Sequence, residues 1–283
     1  MDTPLHVRTA GAGPPLLLIH GAAEDAAMLT PQAEAFAARG HRTIWYDRRG
    51  TGTSTRADWP GGGVARHVED AADLLRGLDA GPATVLGFSS GGVLALALVG
   101  RHPELVTEAI AWEPAALSLL PGGAELHAQL VAPIEAHLAA HPTDWPGAYA
   151  IMLDVLSEGR ADLGSPAAQR QLVNAEPALR DDARIITTHV FGPDELPADR
   201  VTVAVGRGTS PLHAGIAEAL AARLGRPPLV VEAAADHEVY LTEPDVLADA
   251  LADRYDAMVV ATALAQLVGD SGPVAMLAHD LGL

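Results

Sequence analysis

Short aliphatic runs of strand length alternate along this chain with longer segments of helical spacing, and that alternation constrains the fold more tightly than any other feature. Strands are predicted at Pro15–His20, Arg42–Tyr46, Ala83–Gly87 and Val106–Trp112. Such runs are apolar on both sides, as strands of a parallel sheet covered by helices must be. Between them lie helical stretches at Met28–Arg39 and Val68–Leu78, the second placing Val68, Ala71, Ala72, Leu75 and Leu78 on one face. A third helix follows Ser89 to about His102, where Pro103 stops it.

From Glu113 to Asp199 the strand signal disappears. Ala124–Ala140, Ala148–Glu158 and Ala167–Val173 read as helices separated by Pro and Gly clusters. Strands return at Val201–Val205 and Leu229–Glu232 around a helix at Ala214–Leu224, and another helix runs from about Pro244. The expected fold is therefore α/β: a mostly parallel, doubly wound sheet built from residues 1–114 and 200–255, with a helical lid, residues 115–199, inserted between two sheet strands. Residues 256–283 are more apolar than a solvated tail. They are expected to be a helical extension that docks on its own domain or on a second copy, giving a homodimer.

Charge and composition exclude several classes. The net charge is -18 and all 18 basic residues are arginine, so no basic stripe exists to neutralise a nucleic-acid backbone or an anionic lipid surface. Without lysine there is no Schiff-base chemistry and no phosphate-binding P-loop. Without cysteine there is no disulfide, thiolate nucleophile, iron–sulfur cluster or cysteine-ligated zinc. No apolar run reaches the roughly 20 residues of a membrane span, and the N-terminus lacks the pattern of a signal peptide, so the cytoplasm is the expected location.

Gly87-Phe88-Ser89-Ser90-Gly91 lies directly after one strand and directly before one helix. In that context a G-x-S-x-G run places a serine on a sharp turn above the sheet, and the glycines remove side chains that would strike neighbouring backbone. The helix that begins there aims unpaired N–H groups and a partial positive charge at the same place. Ser90 is a rival nucleophile by type, but its position suits it better to offering its backbone N–H.

With His20-Gly21-Ala22 after one strand and Tyr46-Asp47-Arg48-Arg49-Gly50-Thr51-Gly52-Thr53-Ser54 after the next, the chain resembles the α/β-hydrolase family over about residues 11–255. The resemblance implies Ser89 as nucleophile, an oxyanion hole from the N–H groups of Ala22 and Ser90 (with Ala23 as substitute for the former), and no cofactor. It also implies His237 as general base, since that histidine follows the last predicted strand. The Asp-Arg-Arg-Gly run is expected to be a structural turn, with Asp47 bonding backbone and the arginines pairing with acids.

One departure from the family pattern stands out. The loop after the first strand beyond the lid, Gly206-Arg207-Gly208-Thr209-Ser210-Pro211, contains no carboxylate where the commonest arrangement has an aspartate. Glu113, at the end of the strand before the lid, reaches the same sheet rim and can orient the imidazole. That placement resembles some dehalogenases and the zearalenone-type lactone hydrolases. The alternative leaves Thr209 or Ser210 to orient His237 through water, and Asp236 would have to curl back. His137 and His141 stand four apart but lack the intervening glutamate of H-E-x-x-H, so no metal is expected.

The reaction expected is hydrolysis of an ester or lactone of a small apolar molecule through an acyl group on Ser89. Trp112, Leu117, Trp145, Tyr149 and Met152 are the candidate substrate-lining residues. Carbon–carbon bond hydrolysis, peroxyacid formation, and a non-catalytic ligand-binding role remain as alternatives.

Overall fold

A computed structural model describes residues 5–251 apart from 158 and 160. Residues 256–283, expected to dock on the domain or on a second copy, lie outside the described residues. Among the described residues, seven strands form one sheet in the order β1-β3-β2-β4-β5-β6-β7. They are β1 (Val7–Ala10), β2 (Pro15–Ile19), β3 (Arg42–Tyr46), β4 (Ala83–Phe88), β5 (Val106–Trp112), β6 (Val201–Gly206) and β7 (Leu229–Val231). Every pairing is parallel except that of β1 with β3. β1 escapes the sequence pattern because it is an edge strand whose residues are half-buried or exposed, so it carries no apolar run.

The chain winds from β2 outward to β3, then returns to place β4 on the other side of β2. This reversal separates the loops after β2 and β4, and a crevice at such a switch point is where doubly wound sheets bind their ligands. The loop after β2 carries His20-Gly21-Ala22 and the loop after β4 carries Ser89.

Helices cover both faces. α1 (Ala26–Ala38) begins two residues before the predicted start because the Asp25 carboxylate accepts the Met28 N–H at 3.0 Å and caps it. It packs with the segment around Tyr240 and Leu247 on Leu16, Leu18, Trp45, Leu86, Phe88 and Trp112. α2 (Gly63–Gly77), α3 (Ser90–Arg101) and a later helix, Pro211–Leu224, fill the other face through Val68, Leu75, Leu94, Leu98, Ile216 and Leu220.

Between β5 and β6 the described residues contain no strand. A 3-10 turn (Leu117–Leu119) leads to α4 (Gly123–Ala140), α5 (Trp145–Leu156), α6 (Pro166–Val173) and α7 (Ala175–Pro177), which runs into a π-helical stretch, Ala178–Ile186. α8 is the Pro211–Leu224 helix, and α9 (Val239–Thr242) follows β7, with residues 244–251 helical beyond it. The insertion has its own small core: Ile134, Leu138, Tyr149, Ala175, Ala178 and Leu179 close on Ala23 of the loop after β2.

Buried polar contacts hold the π-helical stretch down. Asp182 Oδ1 accepts from Arg48 Nη2 at 2.7 Å and from Ser90 Oγ at 2.5 Å, with both ion-pair side chains at most 2% exposed. Asp181 Oδ2 lies 2.5 Å from His67 Nε2 and accepts the Trp59 indole N–H at 3.2 Å. Arg49 grips Asp70 through two N–H groups at 2.8 Å, and Asp47 accepts the backbone N–H of Ala26 and Thr53, so the Asp-Arg-Arg run is a structural turn.

Removing one partner from a buried ion pair leaves a charge without compensation, at a cost of about 3–5 kcal/mol. Asp182→Ala should therefore lower the urea unfolding free energy by about that amount, and Arg48→Met added to it should recover most of the loss. A change below about 1 kcal/mol in the single variant would show that the pair does not hold the insertion in place.

Candidate active site

Ser89 is the residue after β4 and adopts φ 52°, ψ −116°, a left-handed strained conformation for a side chain with a Cβ. The turn is possible because its flanking positions are glycine. A Cβ on Gly87 would lie 2.1 Å from the Gly91 carbonyl oxygen, and one on Gly91 would lie 2.2 Å from that of Ile19. Ser89 N–H donates to the Trp112 carbonyl at 3.0 Å, tying the turn to the end of β5.

Phe88 and Trp112 are aligned partners across β4 and β5, so the next residues, Ser89 and Glu113, stand side by side on the sheet rim. Both have positive φ, 52° and 40°. Glu113 is wholly buried. Its Oε1 accepts the Gly206 N–H at 3.0 Å and its Oε2 accepts from His237 Nδ1 at 2.7 Å. Burial pushes the Glu113 carboxyl up, but the hydrogen bond and charge of His237, with the Gly206 amide, outweigh it and hold the group below its ordinary range.

His237 is brought to this place by the loop after β7, and the Trp112 indole N–H donates to its backbone carbonyl at 3.0 Å. Ser89 and His237 share no hydrogen bond in the structure. Asp236 turns away, its carboxylate accepting the Glu238 N–H at 2.9 Å, and Thr209 Oγ1 is buried without a partner. Ser210 Oγ lies 3.0 Å from His213 Nδ1, not beside His237.

Ser90, as the first residue of α3, has an N–H with no acceptor inside the helix. The loop carrying Ala22 is pressed against the same turn: a Cβ on Gly21 would stand 3.3 Å from Ser89 Cβ. Ala23 holds φ 59° and is buried under the insertion. His20 is buried, donates to the Gly21 carbonyl at 2.8 Å, and is kept neutral by burial and by Arg48 beside it.

The expected substrate-lining residues divide. Tyr149, Trp145 and Met152 belong to the cluster that also holds Ala22 and Ala23, above the loop after β2. Leu117 is in the core that covers the opposite face of the sheet. Trp112 is corrected: its side chain is wholly buried and its one polar atom is committed to the His237 carbonyl, so it supports the histidine instead of lining a pocket. His137 pairs with Asp144 at 2.8 Å, which accounts for its place on α4.

Glu113, His213 and His237 offer ligand-type atoms within 4.8 Å of one another. A tetrahedral ion with bonds of about 2.0–2.2 Å would hold its ligand atoms more than 3 Å apart. The 2.7 Å between Glu113 Oε2 and His237 Nδ1 is a hydrogen bond, and it closes that space.

Comparison with known proteins identifies the family. A family model described as alpha/beta hydrolase fold matches residues 14–132. The 2-(acetamidomethylene)succinate hydrolase of Mesorhizobium japonicum is 31% identical over 268 residues, 89% of this chain and 92% of that protein. The chain belongs to the α/β-hydrolase family. The uncharacterized hydrolase YraK of Bacillus subtilis is 40% identical over 119 residues, but that match covers 42% of this α/β hydrolase and 44% of YraK, under half the length of either. Among solved structures, an α/β hydrolase from Sphaerobacter thermophilus superposes with a TM-score of 0.66 at 25% identity, covering 89% of this chain and 96% of the other.

Two residues that the sequence did not single out join this site. Glu24, in the loop after β2, is 3% exposed; it accepts the Gly21 N–H at 2.9 Å and the Tyr240 hydroxyl at 2.5 Å. Tyr240 in turn stacks on Phe88 with centroids 4.2 Å apart. Nothing in the spacing of Glu24 and Tyr240, 216 residues apart, signals the contact.

Burial pushes the Glu24 carboxyl up to about 7 against the pull of those two hydrogen bonds. A carboxyl raised on folding holds its proton more tightly in the native α/β hydrolase than in the unfolded chain. Its contribution to stability is complete below the unfolded value near 4.5 and is lost as pH rises through about 7. Unfolding free energy measured from pH 4.5 to 8 should fall by up to about 3 kcal/mol from this group. Glu24→Gln should remove that slope; an unchanged slope would show that the carboxyl titrates normally.

Proposed function

We propose that this α/β hydrolase is a serine hydrolase that cleaves a carboxylic ester or lactone of a small apolar molecule. Ser89 is the nucleophile, His237 the general base and Glu113 the acid that orients it. The observation that carries this reading is the 2.7 Å bond between His237 Nδ1 and the buried Glu113, made on the rim where Ser89 projects from its strained turn.

With Nδ1–H committed to Glu113, the free Nε2 of neutral His237 is the atom that accepts a proton. Ser89 Oγ gives its proton to Nε2 and forms a bond to the substrate carbonyl carbon, whose oxygen becomes the oxyanion. The N–H groups of Ala22 and Ser90 receive that charge, aided by the start of α3. His237 then returns the proton to the leaving alcohol as the carbon–oxygen bond breaks. Water repeats the sequence on the acyl group and frees Ser89. Glu113 stays ionised throughout and balances the imidazolium, which its lowered pKa favours. The Ser89–His237 hydrogen bond forms as substrate orders the site, since such bonds are often long or misaligned before binding.

α4 to α7 and the π-helical stretch serve as the lid, with Trp145, Tyr149 and Met152 as its substrate-facing residues. Support for a small-molecule substrate comes from the relative named for hydrolysis of 2-(acetamidomethylene)succinate. Carbon–carbon hydrolysis and peroxyacid formation use the same constellation, and a substrate panel run with and without peroxide separates them.

A fluorophosphonate probe should add once to the intact protein, and Ser89→Ala should abolish both the adduct and ester turnover. Glu113→Gln should lower kcat by about 10³–10⁴-fold with an unchanged far-UV spectrum. No adduct on the native protein would favour the ligand-binding reading. Near-normal turnover in Glu113→Gln would remove the acid assignment.

A further inference from the structure

The loop after β6, lacking the carboxylate common in the family, is occupied by other work. Gly206 donates its N–H to Glu113 Oε1 at 3.0 Å. Gly208 lies so close to the Ala235 carbonyl that a Cβ would stand 1.8 Å from its oxygen, which presses this loop onto the one carrying His237. Ser210 caps α8 by accepting the His213 backbone N–H at 3.3 Å, and its hydroxyl is 3.0 Å from His213 Nδ1. The first turn of α8 is thereby fixed with its histidine over the site.

His213 lies flat on His237, with ring centroids 4.2 Å apart and planes inclined by 6°. Its Nδ1 is 3.6 Å from Glu113 Oε2, beyond hydrogen-bonding distance, and its side chain is 15% exposed against 28% for His237. Burial, then the neighbouring charge of His237, lowers the His213 pKa to about 3, with Glu113 opposing. The ring is therefore neutral across the working range, and its Nδ1 stays in hydrogen-bonding contact with the Ser210 hydroxyl. On the far side, Glu24 lies within electrostatic reach of His237 and of Glu238.

We propose that His213 is a positioning residue: clamped by Ser210, its ring lies flat against the face of His237, holds that imidazole in the plane that directs Nδ1 to Glu113, and shields their hydrogen bond from water. The role rests on the reading of His237 as the base. A flat neutral ring is well suited to it, because it offers an electron-rich face when His237 becomes an imidazolium during turnover. A protonated or bulky, non-planar neighbour would oppose that charge or tilt the ring.

His213→Phe keeps a flat ring without the nitrogens, whereas His213→Leu keeps the volume without the plane. The Leu variant should lose about 10-fold or more in kcat with KM within about twofold, and Phe should stay within about threefold of native. The second readout is the proton resonance of the His237 Nδ1–H, observed in the free protein, so it stands even if no ester is turned over. It should persist in Phe and be lost to exchange with water in Leu. A resonance unchanged in Leu overturns the proposal, and so does a Phe variant as impaired as Leu in both readouts.

Discussion

A carboxylate with no exposed surface at the end of β5 is the constraint around which this site is organised. Burial of an unpaired charge costs several kcal/mol, so Glu113 requires both of its oxygens to be satisfied. Gly206 of β6 supplies one hydrogen bond and His237 the other. The same strand also fixes the backbone of its partner, because Trp112 donates to the His237 carbonyl. The last residue of β5 and the one after it thus hold one histidine by its main chain and by its ring, which defines the imidazole plane more firmly than a single contact on a loop would.

The helical insertion is coupled to this rim through charge as well as apolar packing. Ser90 follows the strained serine, and its hydroxyl donates to Asp182, which also holds Arg48. Arg48 belongs to the turn after β3 and bonds the Gly21 carbonyl at 3.0 Å. One buried carboxylate of the insertion therefore ties together the loops after β2, β3 and β4. Such a pair contributes little net stability over a well-packed apolar substitute, but it admits few alternative arrangements, and displacement of the π-helical stretch would expose both charges to a dry interior.

Most of the sheet could be read from the sequence because parallel strands buried on both faces are unbroken apolar runs. β1 could not, since four residues at a half-exposed edge present no such run. The start of α1 was set by the Asp25 cap, a side-chain contact that periodicity does not register. The serine turn was legible because backbone crowding demands glycine at fixed offsets. Glu113 came into view by elimination, as the carboxylate at a strand end nearest the place left empty in the loop after β6. His213 stayed hidden: a histidine in the first turn of a helix behind Ser-Pro looks like any surface residue until β6 and β7 bring two rings into register. Glu24 stayed hidden for the same reason, its meaning depending on a tyrosine at the far end of the chain.

The position of Glu113 just past the end of β5 has a geometric consequence. Ser89 and Glu113 occupy adjacent strand ends, each just past the paired Phe88 and Trp112, and both turn away from the sheet in left-handed conformations. The strain is concentrated on two neighbouring residues, and the Ser89 carbonyl helps to hold it by accepting the N–H groups of Gly92 at 3.0 Å and Ala115 at 3.1 Å. In return, the loop after β6 no longer has to present a carboxylate. It is short and glycine-bearing, follows the Gly206 amide that bonds Glu113, and delivers the start of α8 close enough for the His213 ring to lie on His237. The buried Glu113 and the stacked His213 thus meet at one imidazole, that of His237, which the first bonds at Nδ1 and the second covers on its face.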